Sequence, residues 1–403
     1  MINRKQDKGI TLVALVITII ILLILATISI QALTNTGLFA KAQEAKEKSQ
    51  NAEENQAKTL NEYEDELNKY ISGDVKTPVK KVSDNIGSVL STTDNTELQD
   101  IYGNKIVVPA GFKIVSNSDT NNATTVDKGI VIEDATVDSE GNTTATSVSQ
   151  FVWIPVGKIY TDTAKTEANA KTIELGRYEF DSNGNKSAYS GSCVEEDKGD
   201  TNTTLKNKGN TIAKNITNFK NSVAANGGYY IGRYEARTTV KRTAEGNALT
   251  QITEKGTDQV YNYVTQLQAA QLAQSMYNSN KFISDLMNSY AWDTATLFLQ
   301  TCGTDAKYSR KKPVSTILSQ TGTNTQNTKD VQCNVYDMAG NVREWTTETS
   351  NRSPAPNAYF PCVSRGGEYG NTGDYTSLRY DVGTSFSNDG VGFRPLLFVG
   401  LNS

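Results

Sequence analysis

Val335-Tyr-Asp-Met-Ala-Gly-Asn-Val-Arg-Glu-Trp345 is the most informative segment of this 403-residue chain. Asp337 and Glu344 flank a Gly-Asn turn, which can gather two carboxylates and the intervening backbone carbonyls around one hard cation. The same residues read equally as a capped turn followed by a core tryptophan, Trp345. Downstream lie Arg365-Gly-Gly367 and Gly392-Phe-Arg394. The paired glycines permit close backbone approach or positive φ, Arg365 is suited to hold an internal carboxylate, and Phe393 is expected to close the last strand into the core. Upstream lie Phe151-Val-Trp-Ile-Pro-Val-Gly157, Gly228-Tyr-Tyr-Ile-Gly-Arg-Tyr-Glu235 and Ser289-Tyr-Ala-Trp-Asp293. Trp153, Trp292 and Trp345 are read as core side chains.

In this order the pieces resemble the formylglycine-generating-enzyme/sulfatase-modifying-factor domain, a version of the C-type lectin-like fold, over about residues 100–400. The resemblance implies a calcium site with Asp337, the carbonyls of Gly340 and Val342, and Glu344 as ligands. Active members carry two cysteines after the RGG motif and use them for copper-dependent oxidation. Their places here hold Asn371 and Thr376, and residues 366–403 contain no thiol. Neither side chain can act as a soft Cu(I) ligand or form a thiolate. Other lineages use active-site residues that include histidine, and this chain has none. The expectation is a non-enzyme with no copper, its scaffold kept for binding.

The segment 368–389, EYGNTGDYTSLRYDVGTSFSND, sets aromatic side chains among small polar ones, the composition of adaptable binding loops. Its candidate ligand-binding residues are Tyr369, Asn371, Asp374, Tyr375, Ser377, Tyr380, Asp381, Ser385, Phe386 and Asn388. It also reads as a turn-rich loop that merely closes the domain. A second resemblance is to the variable proteins of diversity-generating retroelements. These share the lectin-like fold and vary residues just before a C-terminal GFRP-like ending, here Gly392–Pro395. Adenine-directed mutagenesis in those systems yields Asn, Asp, Tyr, Ser, Thr and Gly, the types in which this segment is rich.

At the other end, residues 8–30 read KGITLVALVITIIILLILATISI. As a helix, Ile10–Ile30 would span roughly 32 Å, enough to cross a hydrocarbon core. The leader, residues 1–9, carries Arg4, Lys5 and Lys8 against Asp7, so it should stay cytoplasmic while the C-terminal bulk faces outward. The Lys8-Gly9-Ile10 junction resembles the leader of type IV prepilins, which a prepilin peptidase cuts after the glycine before methylating the new N-terminus. Gly9 and Ile10 are therefore the expected processing residues. Polymerising prepilins place a glutamate five residues after the cut, to neutralise a neighbouring subunit's amine in lipid. Ala14 stands there, which suits a tip or minor pilin, or a pilin-like anchor, better than a repeating shaft subunit.

Between these ends, residues 31–73 read as a stalk helix, with Leu60, Tyr63, Leu67 and Tyr70 at helical spacing. Residues 74–100 read as a polar linker, and 101–403 as the lectin-like domain with a surface insertion at about 181–226. Runs such as KIVVPAGFKIV, GIVIEDATV and QFVWIPVGKIY read as strands. Thr265–Met276 and Lys281–Thr301 read as helices. The fold class is thus α+β, a long N-terminal membrane and stalk helix followed by the lectin-like domain.

The formal net charge of −4 becomes −6 without the leader's three basic and one acidic residues, which argues against a nucleic-acid partner. The absence of histidine removes imidazole catalysis and His-ligated zinc. Cys193, Cys302, Cys333 and Cys362 show no CxxC spacing and allow three full pairings. Cys333–Cys362 is the expected disulfide. The leading functional expectation is a membrane-anchored, surface-displayed adhesin that binds a protein or glycan ligand. The alternatives are an extracellular enzyme or maturation factor of the same fold, or a minor pilin that primes filament assembly.

Overall fold

The computed structural model describes residues 12–35, 79–139, 143–195, 216–244, 259–277, 281–319, 330–350 and 360–401, with isolated positions 46, 48, 49, 52, 59 and 279. Two compact units, Met1–Thr77 and Pro78–Ser403, divide the chain. In the first, helix α1 runs Leu12–Asn35, and its described side chains, 15–28, are exposed. Among the described residues no helix is long and apolar enough to cross a membrane. Gly9, Ile10, the helical repeat from Leu60 to Tyr70 and most of the stalk lie outside the described residues.

The second unit is α+β and is organised by two sheets. Their strands begin with β1 (Phe112–Val115), β2 (Val131–Val137), β3 (Thr143–Pro155), β4 (Cys193–Val194), β5 (Gly228–Gly232) and β6 (Phe282–Leu286). They continue with β7 (Arg343–Ser350), β8 (Cys362–Arg365), β9 (Arg379–Val382), β10 (Val391–Phe393) and β11 (Pro395–Val399). The larger sheet runs β6-β11-β5-β3-β2-β1, antiparallel throughout. The period-two alternation of strand side chains explains its unbroken apolar runs. Val152, Ile154, Tyr229, Ile231, Leu396 and Phe398 pack on one face, and Phe151, Trp153, Tyr230 and Leu397 on the other. All three tryptophans and Phe393 are fully buried, as the sequence leads one to expect.

Three helices cover these strands. Helix α2 (Ile216–Asn226) packs Phe219 and Val223 beside Tyr229 and Phe398. Helix α3 (Gln266–Met276) starts at Thr265, which exchanges capping hydrogen bonds with Gln268. Helix α4 (Ser289–Cys302) starts at Asn288, whose side chain accepts from the Ala291 amide at 2.9 Å. The expected helix over Lys281–Thr301 is therefore shorter. Phe282–Leu286 near its start is strand β6, because that segment pairs with β11, and Asn288 resets the chain into helix.

Two expected boundaries also move. The linker 74–100 ends earlier, since Val82 is buried and Thr96–Gln99 pairs with Lys105–Val108. The insertion at 181–226 contributes β4 to the smaller sheet and α2 to the core, through Phe219 and Val223.

The smaller sheet runs β4-β7-β8-β9, with β10 parallel to β7. Strand β7 reads Arg-Glu-Trp-Thr-Thr-Glu-Thr-Ser, yet every residue in it is buried. Its charges can be there only because each finds a partner. The turn after β8 explains the paired glycines. Gly366 has φ +73, and a Cβ there would meet the Met338 carbonyl at 2.7 Å, while one on Gly367 would meet the Ala339 carbonyl at 2.6 Å. Gly366→Ala should cost roughly 2–4 kcal/mol, from left-handed backbone strain plus overpacking. Chemical denaturation measures this, and an unchanged midpoint would refute it.

Candidate ligand-binding cleft

Arg365 is the keystone of the smaller sheet. Fully buried, it donates Nη1 to Glu348 Oε2 at 3.0 Å, Nη2 to Asp293 Oδ1 at 2.5 Å and Nε to the Leu378 carbonyl at 2.9 Å. Arg379 mirrors it, with Nε on Glu348 Oε1 at 2.8 Å and Nη2 on Asp293 Oδ2 at 2.5 Å. Arg177 adds a third guanidinium on Glu348 Oε1 at 2.8 Å. Burial alone would raise the Glu348 carboxyl, but Arg379, Arg365 and Arg177 together hold it down to about 2.

A cleft of roughly 260 Å³ opens beside this network. Arg379, Leu378 and Ser377 line it from the β9 side; Glu179, Phe180, Tyr189, Ser192 and Cys193 line it from the 179–193 segment. Arg310, Tyr375 and Asp381 complete it. Two guanidinium–tyrosine stacks stand in the lining: Arg379 over Tyr189 at 3.8 Å and Arg310 over Tyr375 at 3.7 Å. Burial, then the nearby Glu348 charge, pushes the Cys193 thiol up to about 11, so it stays protonated at neutral pH. Its Sγ lies 3.8 Å from Asp381 Oδ1.

Of the ten residues proposed from sequence, Tyr375, Ser377 and Asp381 come together in this cleft. The others are spread out. Asp374 is buried and takes two hydrogen bonds from Arg343, at 2.8 and 3.1 Å, so it is a clamp within the fold. Phe386 packs edge-on against Trp345. Asn371 accepts from the Gly373 amide and shapes a turn. Tyr369 donates to Asp389, and Asn388 accepts from the Gly390 amide. Tyr380 and Ser385 are exposed, Tyr380 lying over Arg343 at 4.1 Å. Thr376 is fully buried, with its hydroxyl on the Tyr308 carbonyl. Sequence reasoning missed Arg310, Arg379, Tyr189 and Glu179, which come from segments up to about 200 residues apart and carry no local signal.

The motif that opened the sequence reading forms a second buried cluster. Asp337 and Asn341 both sit at positive φ, +61 and +66. Asn341 Nδ2 and the Val342 amide donate to Glu235, at 2.5 and 3.0 Å. Glu344 does not stand free for a cation, because Arg394 occupies both its oxygens, at 2.7 and 3.1 Å. Burial first, then the Asp337 and Glu344 charges, pushes the Glu235 carboxyl well above the usual range. Three buried carboxylates around one guanidinium fit a cation in charge. Among the described residues, however, no three His, Cys, Asp or Glu side chains are grouped to hold one, so backbone carbonyls would have to contribute.

The expected Cys333–Cys362 disulfide is absent, and all four thiols are free. Cys362 is buried in β8 against Trp345 and Val382, whereas Cys333 sits at φ +44 in a separate core beside the Asp127 carbonyl.

Residues 216–397 match the family model of the sulfatase-modifying factor enzyme 1-like domain, which carries the motif, α2 to α4 and β5 to β10. No curated protein matches the chain. Among solved structures, that of CarF is similar at 15% identity and a TM-score of 0.29, covering 43% of this chain and 86% of its own. Treponema denticola variable protein 1 is similar at 16% identity and a TM-score of 0.27, covering 42% and 84%.

The network predicts two opposite pH responses. Glu348 contributes stability that is present above its unfolded value near 4.5 and lost as pH falls toward 2. Glu195 behaves inversely. The residue is partly accessible, but its carboxylate is enclosed, accepting from Thr347 Oγ1 and the Ser289 amide. Burial and the Glu348 charge raise it to about 7. Its contribution is therefore full below pH 4.5 and lost as pH rises through 7. Melting curves from pH 4 to 8 should show Glu195→Gln gaining on the parent as pH rises; parallel curves would sink this. Glu348→Gln should cost about 3–5 kcal/mol at neutral pH, because it uncovers buried guanidinium charge.

Proposed function

We propose that the chain is a surface-displayed ligand-binding protein, a pilin-like membrane anchor carrying a lectin-like head that engages its ligand at the cleft. The observation that carries this reading is the cleft itself. It is an accessible, aromatic- and arginine-lined site on a rigid ion-paired scaffold, and Tyr375, Ser377 and Asp381 of the 368–389 segment line it. The ligand is a protein or glycan outside the cell, and the role is adhesion at a pilus tip or the membrane surface. Diversification by a retroelement is part of the proposal and rests on the composition of 368–389 before Gly392-Phe-Arg-Pro395.

The anchor rests on the apolar run Ile10–Ile30 behind a basic leader. Prepilin peptidase and other pilins are the partners this implies. N-terminal sequencing of the chain from its native membrane should find Ile10, methylated, as the first residue. A chain beginning at Met1 would exclude the prepilin reading. The head is proposed to be non-enzymatic, since Asn371 and Thr376 cannot supply the thiol chemistry of the active enzymes, and Thr376 is enclosed. Copper-dependent turnover of a cysteine peptide would overturn that.

Calcium is proposed at the Asp337 turn, held by the Asp337 carboxylate with the Gly340 and Val342 carbonyls, while Glu344 stays with Arg394. It would serve as a structural clamp that offsets buried negative charge. Calcium at a hundredfold excess over its Kd should stabilise the protein by about 2.7 kcal/mol. Thermal melts with calcium and with chelator check this. Asp337→Asn should remove the difference, and identical melts would refute the site.

A further inference from the structure

We infer that the cleft recognises a carboxylate on an acidic peptide segment of a protein partner, with Arg310 as the residue that receives it. This rests on the ligand-binding reading above and names the ligand's chemistry.

The argument begins with the cations around the cleft. Arg177, Arg365 and Arg379 have their charge committed to Glu348 and Asp293. Arg310 differs. Among the described residues its guanidinium makes no hydrogen bond and no ion pair, and its close partner is the Tyr375 ring at 3.7 Å. The backbone beneath it is fixed. The Arg310 amide donates to the Lys307 carbonyl at 2.8 Å, Ser309 Oγ donates to Gln300 at 2.6 Å, and Tyr308 is fully buried. A guanidinium stacked on a ring keeps its in-plane N–H edge available, the geometry that takes a planar carboxylate in bidentate fashion.

The rest of the lining narrows the ligand. Glu179 and Asp381 face the same cleft, so a dianionic phosphate would meet two like charges while a carboxylate carries half as much. The same two acids suit backbone N–H groups or a basic side chain beside the carboxylate. Tyr189 and Tyr375 offer ring faces for apolar parts of the segment. Arginine, acids and tyrosines within roughly 260 Å³ match one or two side chains of a peptide of mixed charge.

The test is to pan a random dodecamer peptide library on the full chain in detergent micelles, alongside Arg310→Gln and Arg310→Lys. Thermal melts of both variants should match the parent, because the Arg310 side chain carries no ion pair. Peptides selected on the parent should be enriched in Asp and Glu. They should bind Arg310→Gln roughly ten- to a hundredfold more weakly, with Arg310→Lys between, and should lose affinity similarly when Asp and Glu become Asn and Gln. Peptides without acidic enrichment, or equal binding to Arg310→Gln, overturn the carboxylate assignment and leave ligand binding standing. Capture of carboxylated sugars alone on a glycan array overturns the peptide assignment. No ligand from either library overturns the binding reading itself.

Discussion

One buried guanidinium, Arg365, is the constraint on which the second unit depends. Its three donors reach helix α4 through Asp293, strand β7 through Glu348 and the loop before β9 through the Leu378 carbonyl. A charge at zero exposure is tolerable only when every donor has an acceptor. The helix, the strands and the loop must therefore arrive together in one register. The paired glycines after Arg365 serve the same end, because the chain can turn against the Met338 and Ala339 carbonyls only without side chains.

The cleft is a by-product of this arrangement. Arg379 joins Arg365 on Asp293 and Glu348, Arg177 adds to Glu348, and the outer surface of Arg379, stacked on Tyr189, becomes part of the lining. Among the described residues the scaffold thus commits the charges of Arg177, Arg365 and Arg379 to Glu348 and Asp293, while Arg310 stacks on the Tyr375 ring.

The opening motif shows where sequence reading falls short. It correctly located a turn with two acids, but it paired Asp337 and Glu344 around one cation. The fold instead brings Arg394, 50 residues from Glu344, onto the second acid and Glu235, 107 residues from Val342, onto the turn amides. Similarly, Asp374 and Phe386 have the residue types of a binding loop, yet Arg343 and Trp345 draw them inward. Composition reports which side chains are available and is blind to which are already engaged.

What the sequence determined by itself was local. The apolar run in QFVWIP and the helix start at Thr265 depend on neighbours a few residues away. The residue types of the three tryptophans and the paired glycines were legible in the chain, although their partners lie far off in sequence. The tertiary structure alone decided three further things: that Phe282–Leu286 is a strand, that Cys193–Val194 joins the smaller sheet and Ile216–Asn226 the core, and that Glu179, Tyr189, Arg310 and Arg379 share one cleft. Strand pairing and ion pairing across about 200 residues leave no periodic trace, because their energy is realised only when distant segments meet.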